Sequence, residues 1–176
     1  SEEGYGVSVL NDCKYGVSVR GTDIGLSMLK SGIYPNPEAD QEHHEFIYSI
    51  FPHRGNWKES GTVAQAYELN NPMKAVVKEN QGGSLKESYS LLRTDLDNVV
   101  IETAKMGEED ETLVVRLYEC FNKRDRGTLF CGEEILEAFQ CNMLEQEEVP
   151  LEHNSHEIFF SVKPFEIKTF KIRLKS

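Results

Sequence analysis

Residues 98–119 read NVVIETAKMGEEDETLVVRLYE, and this stretch carries the pattern that decides the fold. Residues 99–104 and 112–121 are rich in β-branched and aromatic side chains, which favour β-strands. Residues 107–110 combine a glycine with acidic side chains, a composition typical of turns. The stretch therefore predicts two short strands separated by a polar turn.

The same pattern recurs on both sides of this stretch, with turn residues between short apolar runs. It predicts further strands at 5–10, 15–20, 24–29, 46–50, 74–78, 89–93, 127–131, 135–142, 157–162 and 165–174. The run from Ile135 is also compatible with a helix, and Gly82-Gly83 predicts a break. Residues 57–69 change to helical spacing, with capping residues at 60–62 and a stop at 70–72, and give the one helix that we predict. We therefore expect an all-β chain, an antiparallel β-sandwich with one short helix, forming a single domain over residues 1–176.

Three local features refine this expectation. YGVSVL at 5–10 and YGVSVR at 15–20 flank Asn11-Asp12, which predicts a hairpin with its tip at 10–16. Pro52 is expected to end the strand that begins at 46, because proline cannot donate to a sheet ladder. The apolar set changes phase between Ile167 and Phe170, which predicts a bulge near Lys168.

Composition excludes several classes of function. The chain has 30 acidic and 19 basic residues, a net charge of -11, so we expect neither nucleic acid nor an anionic membrane as a partner. No stretch approaches the roughly 20 apolar residues that a membrane span needs. The four cysteines contain no C-x-x-C pair, which favours free thiols in a reducing compartment over disulfides in an exported protein.

Histidines and carboxylates are the candidate catalytic and metal-binding groups. His43 and His44 are adjacent, so in a strand they point to opposite faces, and a protein-built metal site is not expected. His53 is the best functional candidate of the five, although structural hydrogen bonding is the favoured interpretation. The acidic runs at 108–111, 133–134 and 147–148 are interpreted as solvated loop charge. No nucleophile, base and orienting group occur together, so no catalytic residue is predicted.

The predicted tip at 10–16 concentrates different chemistry in seven residues. Asn11 supplies an amide, Asp12 a carboxylate, Lys14 an ammonium and Tyr15 an aromatic ring. Such a set can hydrogen-bond sugar hydroxyls and stack on the face of a sugar ring. An ordinary polar turn is the alternative interpretation.

Five segments in sequence order resemble the C-terminal domain of glycoside hydrolase family 38 α-mannosidases. The resemblance is to the branch of fungal vacuolar, animal cytosolic and bacterial enzymes. The segments are LNDCKYG at 10–16, SMLKSGIYPNPEAD at 27–40, HEFIYSIFPHRG at 44–55, NVVIETAKMGEEDETLVVRLYE at 98–119 and KPFEIKTFKIRL at 163–174. Residues 127–157 match only in general composition.

The resemblance implies a larger parent enzyme that removes terminal α-linked mannose with retention of configuration. Its zinc ion and aspartate nucleophile would belong to an N-terminal catalytic domain of the same chain, and this fragment is expected to hold no cofactor and to be inactive alone. Its expected partners are that catalytic domain and mannose-containing glycans, in the cytoplasm. Asn11, Asp12, Lys14 and Tyr15 would complete the sugar-binding rim, with Lys14 at the position of a basic residue that can approach the sugar.

Two other classes of function remain open. An autonomous carbohydrate-binding β-sandwich module would need exposed aromatic side chains on one face, and the candidates are Tyr5, Tyr15, Tyr34 and Trp57. An adhesion or oligomerisation sandwich without a sugar ligand is the other. Binding of short mannosides by the isolated fragment would favour the module.

Overall fold

The computed structural model describes residues 3–78, 82 and 87–175. The chain divides into two compact units, Ser1–Glu79 and Asn80–Ser176. The strands are β1 (Tyr5–Asn11), β2 (Gly16–Arg20), β3 (Asp23–Ser27), β4 (Tyr48–Arg54), β5 (Leu92–Thr94), β6 (Val99–Met106), β7 (Leu113–Glu119), β8 (Asp125–Cys131), β9 (Ile135–Cys141), β10 (Val149–Pro150), β11 (Glu157–Val162) and β12 (Ile167–Leu174), and the helix is α1 (Thr62–Asn70). The predicted all-β class with one short helix is confirmed. Gly83 of the predicted break lies outside the described residues.

The second unit is an antiparallel β-sandwich. One sheet has the order β10-β9-β12-β7-β6 and the other the order β11-β8-β5. Residues 98–119 form the antiparallel pair of β6 and β7, with Met106 opposite Leu113 at the turn. Buried side chains from both sheets make one core, and within it the rings of Phe160 and Phe170 meet edge to face at 5.6 Å between centroids. The run from Ile135 is a strand and not a helix.

The predicted bulge near Lys168 is wrong. Strand β12 pairs with β7 without a break from Ile167 to Ile172, and its register shift lies at Arg173/Leu174 against β9. The apolar pattern changes phase because β12 is the central strand, covered on both faces. Phe170 and Ile172 enter the core. Lys171 is buried on the opposite face, where carboxylates pair with it.

An ion network surrounds the ammonium group of Lys171. Its Nζ lies 2.9 Å from Asp110 Oδ2 and 2.5 Å from Glu148 Oε1. Hydrogen bonds from Thr112 and Lys171 lower the pKa of Asp110 to about 2, and the two carboxylates raise the pKa of Lys171. Asp110 and Glu148 remain exposed, as expected for loop charge, but their ion pairs with Lys171 also tie two loops to β12.

We expect the Asp110→Asn variant to lose part of the protein's acid sensitivity. The pKa of Asp110 falls from an ordinary 3.8 to about 2 on folding. A carboxyl group with a lowered pKa stabilises the fold above its ordinary pKa, and that stabilisation disappears as the pH falls through the folded value. Melting temperatures measured from about pH 5 to about pH 2 should fall more steeply for the wild type than for the variant below about pH 4. Parallel curves would contradict the assignment.

In the first unit, β1 pairs with β4 and β2 pairs with β3, both antiparallel. The predicted hairpin of residues 5–10 with 15–20 is therefore wrong. Gly21, at φ 60°, supplies a tight turn that joins β2 directly to β3. The partner of β1 comes instead from residues 48–54, which no local pattern indicates.

Two smaller predictions for this unit also need correction. The strand β4 continues through Pro52 to Arg54, because a two-stranded sheet leaves one edge of each strand open and a proline can be tolerated there. Residues 74–78 form no strand. The predicted helix is confirmed: it begins at Thr62, within the predicted capping residues 60–62, after Gly61 in the left-handed conformation.

The described part of the first unit buries very little. Only Gly6, Leu10 and His53 are buried in it. One face of the β1–β4 sheet is apolar and uncovered: Tyr5 is 51% exposed, Tyr48 52% and Ile50 64%. Within the described residues, no helix has both the length and the apolar character needed to cross a membrane.

Candidate functional site

The predicted tip forms the connection between β1 and β2, and the side chain of Asn11 organises it. Its Oδ1 accepts a hydrogen bond from the backbone N–H of Lys14 at 2.7 Å. Its carbonyl oxygen accepts from Asn70 Nδ2 at 3.2 Å, which joins the loop to the end of α1. Asn11 therefore holds the backbone of the loop in one conformation.

Asp12 ties the same loop to the residue before β4. The N–H of Ile47 donates to Asp12 Oδ1 at 3.0 Å, and the N–H of Asp12 donates to the carbonyl of Ile47 at 3.1 Å. The bond from Ile47, followed by that from the Cys13 thiol, lowers the pKa of Asp12. The hydrogen bond between the Cys13 thiol and Asp12 raises the pKa of Cys13. The loop thus presents an ionised carboxylate at neutral pH.

Lys14 and Tyr15 project from this fixed backbone. Lys14 Nζ lies 5.1 Å from the centroid of the Phe46 ring, close enough for a cation–π contact. The Tyr15 side chain is 90% exposed. The structure therefore places all four predicted residues in one loop. Asn11 and Asp12 hydrogen-bond to backbone groups and hold the loop, whereas Lys14 and Tyr15 extend from it.

An open groove of about 670 Å³ begins at Lys14. Its lining residues are Lys14, Gly16, Ser27, Met28, Leu29, Lys30, Asp40 and His44. His44 is held by a 3.0 Å hydrogen bond between its Nε2 and the carbonyl of Asp40. Of the four predicted residues, only Lys14 lines the groove.

Sequence reasoning missed Lys30, Asp40 and His44 as members of this site. Lys30 and Asp40 lie in the segment 27–40, and His44 begins the segment 44–55. The resemblance of these two segments to the family is the signal in the sequence that could have indicated these residues. Ammonium, imidazole and carboxylate groups can hydrogen-bond sugar hydroxyls. Glycoside hydrolysis by paired carboxyl groups requires two, and Asp40 is the one carboxylate in the described lining. The described lining therefore does not supply the pair of carboxyl groups that this mechanism needs.

His53 is itself buried, lies outside this groove and ends a chain of hydrogen bonds. Its Nε2 is 3.1 Å from Ser8 Oγ, which is 3.1 Å from Thr62 Oγ1. Thr62 contacts Ser60 Oγ at 2.8 Å, and Ser60 donates to the carbonyl of Trp57 at 3.2 Å. Because that carbonyl can only accept, the hydroxyl protons all point away from the histidine, so Nε2 is the donor. This geometry favours the structural interpretation of His53.

Close packing around His53 agrees with that role. A Cβ on Gly6 would lie 2.3 Å from its Cε1. Within residues 3–78, 82 and 87–175, no three His, Cys, Asp or Glu side chains are placed to hold a metal ion. The chain's own described residues thus do not fit a zinc site. All four cysteines are free thiols.

Two protein-family models match the sequence. The model of the glycosyl hydrolases family 38 C-terminal beta sandwich domain matches residues 98–170. The model of the glycosyl hydrolases family 38 C-terminal domain matches residues 1–38. Together they match more than half of the chain, in the order expected from the resemblance.

Curated relatives match along nearly the whole chain. Alpha-mannosidase 2C1 of Mus musculus is 35% identical over 100% of this chain and 17% of its own length. Alpha-mannosidase G of Dictyostelium discoideum is 32% identical over 97% of this chain and 16% of its own length. The alpha-mannosidase of Saccharomyces cerevisiae is 30% identical over 98% of this chain and 18% of its own length. The chain therefore spans about a sixth of the length of these relatives.

Solved structures show the same fold. A family 38 glycosyl hydrolase from Enterococcus faecalis superposes with a TM-score of 0.74 at 20% identity, covering 98% of this chain and 21% of its own. An alpha-mannosidase from the same species gives a TM-score of 0.76 at 20% identity, covering 98% of this chain and 20% of its own. The architecture is thus that of a part of these larger proteins.

Proposed function

We propose, because the chain belongs to the C-terminal region of glycoside hydrolase family 38, that it is the non-catalytic β-sandwich portion of an α-mannosidase. It supports a separate catalytic domain of the same protein and completes the rim of the sugar-binding site. The isolated chain is inactive. The parent removes terminal α-linked mannose from mannose-containing glycans.

The observation that carries this proposal is the uncovered apolar face of the first unit. Tyr5, Val7, Tyr48 and Ile50 share that face of the β1–β4 sheet, each more than 40% exposed. Soluble proteins rarely leave such a contiguous apolar surface open unless another protein surface covers it. Relatives about six times as long supply a candidate cover within the same chain. The catalytic portion of the parent is therefore the partner that we assign to this face.

The loop from Asn11 to Tyr15 is the part that we assign to the sugar. Its backbone is held by Asn11 and Asp12, so the ammonium of Lys14 is positioned before a ligand arrives. Preorganised groups bind more strongly because less conformational entropy is lost on binding. Lys14 supplies hydrogen bonds to sugar hydroxyls, and Tyr15 offers an apolar ring beside it.

We expect the Lys14→Ala variant of the full-length parent to lose catalytic efficiency. Loss of a charged hydrogen bond should lower kcat/KM by a factor equivalent to about 1–3 kcal/mol, or about 5- to 150-fold. Steady-state hydrolysis of an aryl α-mannoside measures this. Lys74→Ala is the matched control, because Lys74 is an exposed lysine of the same unit outside the groove. Equal kinetics of the two variants would remove Lys14 from the site.

We also propose the remaining properties of the parent from the family resemblance. Hydrolysis proceeds with retention of configuration, and zinc is held by the catalytic portion, since the described residues of this chain offer no such site. A cytoplasmic location is supported by the four free thiols. Inversion of the anomeric configuration in a product analysis by NMR would contradict the first of these proposals.

A further inference from the structure

A second open groove lies in the β-sandwich unit, on the face of the three-stranded sheet that points away from the core. It has a volume of about 630 Å³. Its lining residues are Asp95, Arg126, Gly127, Thr128, Glu152, Phe159, Phe160 and Ser161. None of them belongs to the loop or the groove described above.

The ring of Phe159 forms the apolar floor of this groove. On β11, Ile158, Phe160 and Val162 are buried in the core, so the alternating side chain of Phe159 points outward, and it is 40% exposed. Thr128 lies opposite Phe159 on β8. On the other side, the N–H of Phe159 donates to the carbonyl of Glu152 at 3.0 Å. The ring therefore sits between two fixed backbone segments.

The neighbouring aromatic ring on the same face, that of Phe130, is already stacked against another side chain of the protein. Phe130 is two residues beyond Thr128 on β8, and the guanidinium of Arg93 lies 3.7 Å from its centroid. The guanidinium thus covers one face of the Phe130 ring in a cation–π contact. Phe159 has no such group among the described residues, so its ring can accept a ligand.

Polar groups of both signs surround the Phe159 ring. Arg126 and Glu152 are exposed, and neither forms an ion pair with any described side chain. Thr128 and Ser161 add hydroxyl groups, and Asp95 is held in place by the Thr128 N–H at 2.8 Å. A groove carrying both a cation and carboxylates selects neither anions nor cations, whereas it matches a neutral ligand with many hydroxyl groups.

We infer that this groove binds a neutral oligosaccharide at a site separate from the proposed catalytic rim. The apolar C–H face of a pyranose ring stacks on Phe159, while Arg126 donates to its hydroxyls and Glu152 accepts from them. The mixture of aromatic and polar lining differs from the apolar face of the first unit, which suits coverage by protein. This binding site is independent of whether the parent hydrolyses mannose, and it would give the chain the sugar-binding property of the module considered above as an alternative.

Amide chemical shifts of the 176-residue chain, titrated with α-mannobiose, test this inference. We expect saturable shifts at Thr128, Phe159 and Ser161, an affinity about tenfold weaker in Phe159→Ala, and a similar loss in Arg126→Ala. Leu136→Ala, an exposed apolar truncation on the other sheet, should bind as the wild type does. Inorganic phosphate should produce no shifts there. Absence of shifts at these amides, or an unchanged affinity in both groove variants, overturns the inference.

Hydroxyl-radical footprinting of the full-length parent separates this site from the interface proposed above. Phe159 should be oxidised as readily as in the 176-residue chain, while Tyr48 of the first unit should be protected. Protection of Phe159 would mean that the rest of the protein covers the groove, and it would overturn the oligosaccharide site. Exposure of Tyr48 would instead contradict the packing proposal and leave the groove intact.

Discussion

Replacing Glu119 with alanine is expected to lower the free energy of unfolding by about 3–5 kcal/mol. Its side chain is 1% exposed, yet four groups donate hydrogen bonds to its carboxylate. The donors are Asn98 Nδ2 at 3.0 Å and the backbone N–H groups of Phe121 at 2.8 Å, Asn122 at 3.0 Å and Phe165 at 2.9 Å. The carboxylate thus joins the end of β7 to the residues before β6 and β12.

The charge on Glu119 follows from a balance of opposing effects. Burial alone raises the pKa of its carboxyl group, but the hydrogen bonds from Phe165, Asn98 and Phe121 outweigh burial and lower the pKa. The group is therefore ionised at neutral pH. An alanine would leave four donors without their common acceptor in a closed space, and an unsatisfied buried donor costs more than an absent one.

Urea unfolding followed by circular dichroism measures this loss. Glu137→Ala is the matched control, because Glu137 lies on an exposed part of β9 and pairs with Arg173 at 2.9 Å. A surface pair of this kind contributes about 0–1 kcal/mol. Glu119→Gln should lie between the two, since it keeps one acceptor and introduces a donor. Similar losses for Glu119→Ala and Glu137→Ala would show that the buried network contributes little.

Phe170→Ala is the second change with a large expected effect. The side chain is 0% exposed at the centre of the core, and its ring meets that of Phe160 at 5.6 Å. Truncation removes buried apolar surface and leaves a cavity that the surrounding strands cannot fill, a change that costs about 3–5 kcal/mol. The same urea experiment should show this loss as a lower midpoint with a similar slope.

Phe159→Ala provides the comparison within the same sandwich. Its ring is 40% exposed and lies on the solvent side of β11, so truncation should cost about 1 kcal/mol or less. The outcome also establishes whether that variant is folded well enough to serve in the binding experiment. Equal destabilisation by the two phenylalanine variants would mean that β11 and β12 do not enclose the core between them.

Local patterns were enough for the class and for most of the second unit. Alternating β-branched and aromatic residues at 98–119 predict strands there, and the structure has β6 and β7 at those positions. Sequence segments also led to the family, because five of them occur in order. The loop from Asn11 to Tyr15 could be singled out because it is contiguous in sequence.

Contacts between distant residues decided the rest. Three features depend on partners that lie far away in sequence. They are the pairing of β1 with β4, the burial of both faces of β12 and the role of Glu119 as a hydrogen-bond acceptor. The groove at Lys14 likewise gathers Lys30, Asp40 and His44 from separate segments. The alternation of apolar and polar residues along a strand indicates only whether a side chain faces water or protein. Which strand, carboxylate or ring lies opposite is set by the tertiary fold, because the free energy of those contacts is gained only after the chain has closed the intervening loops.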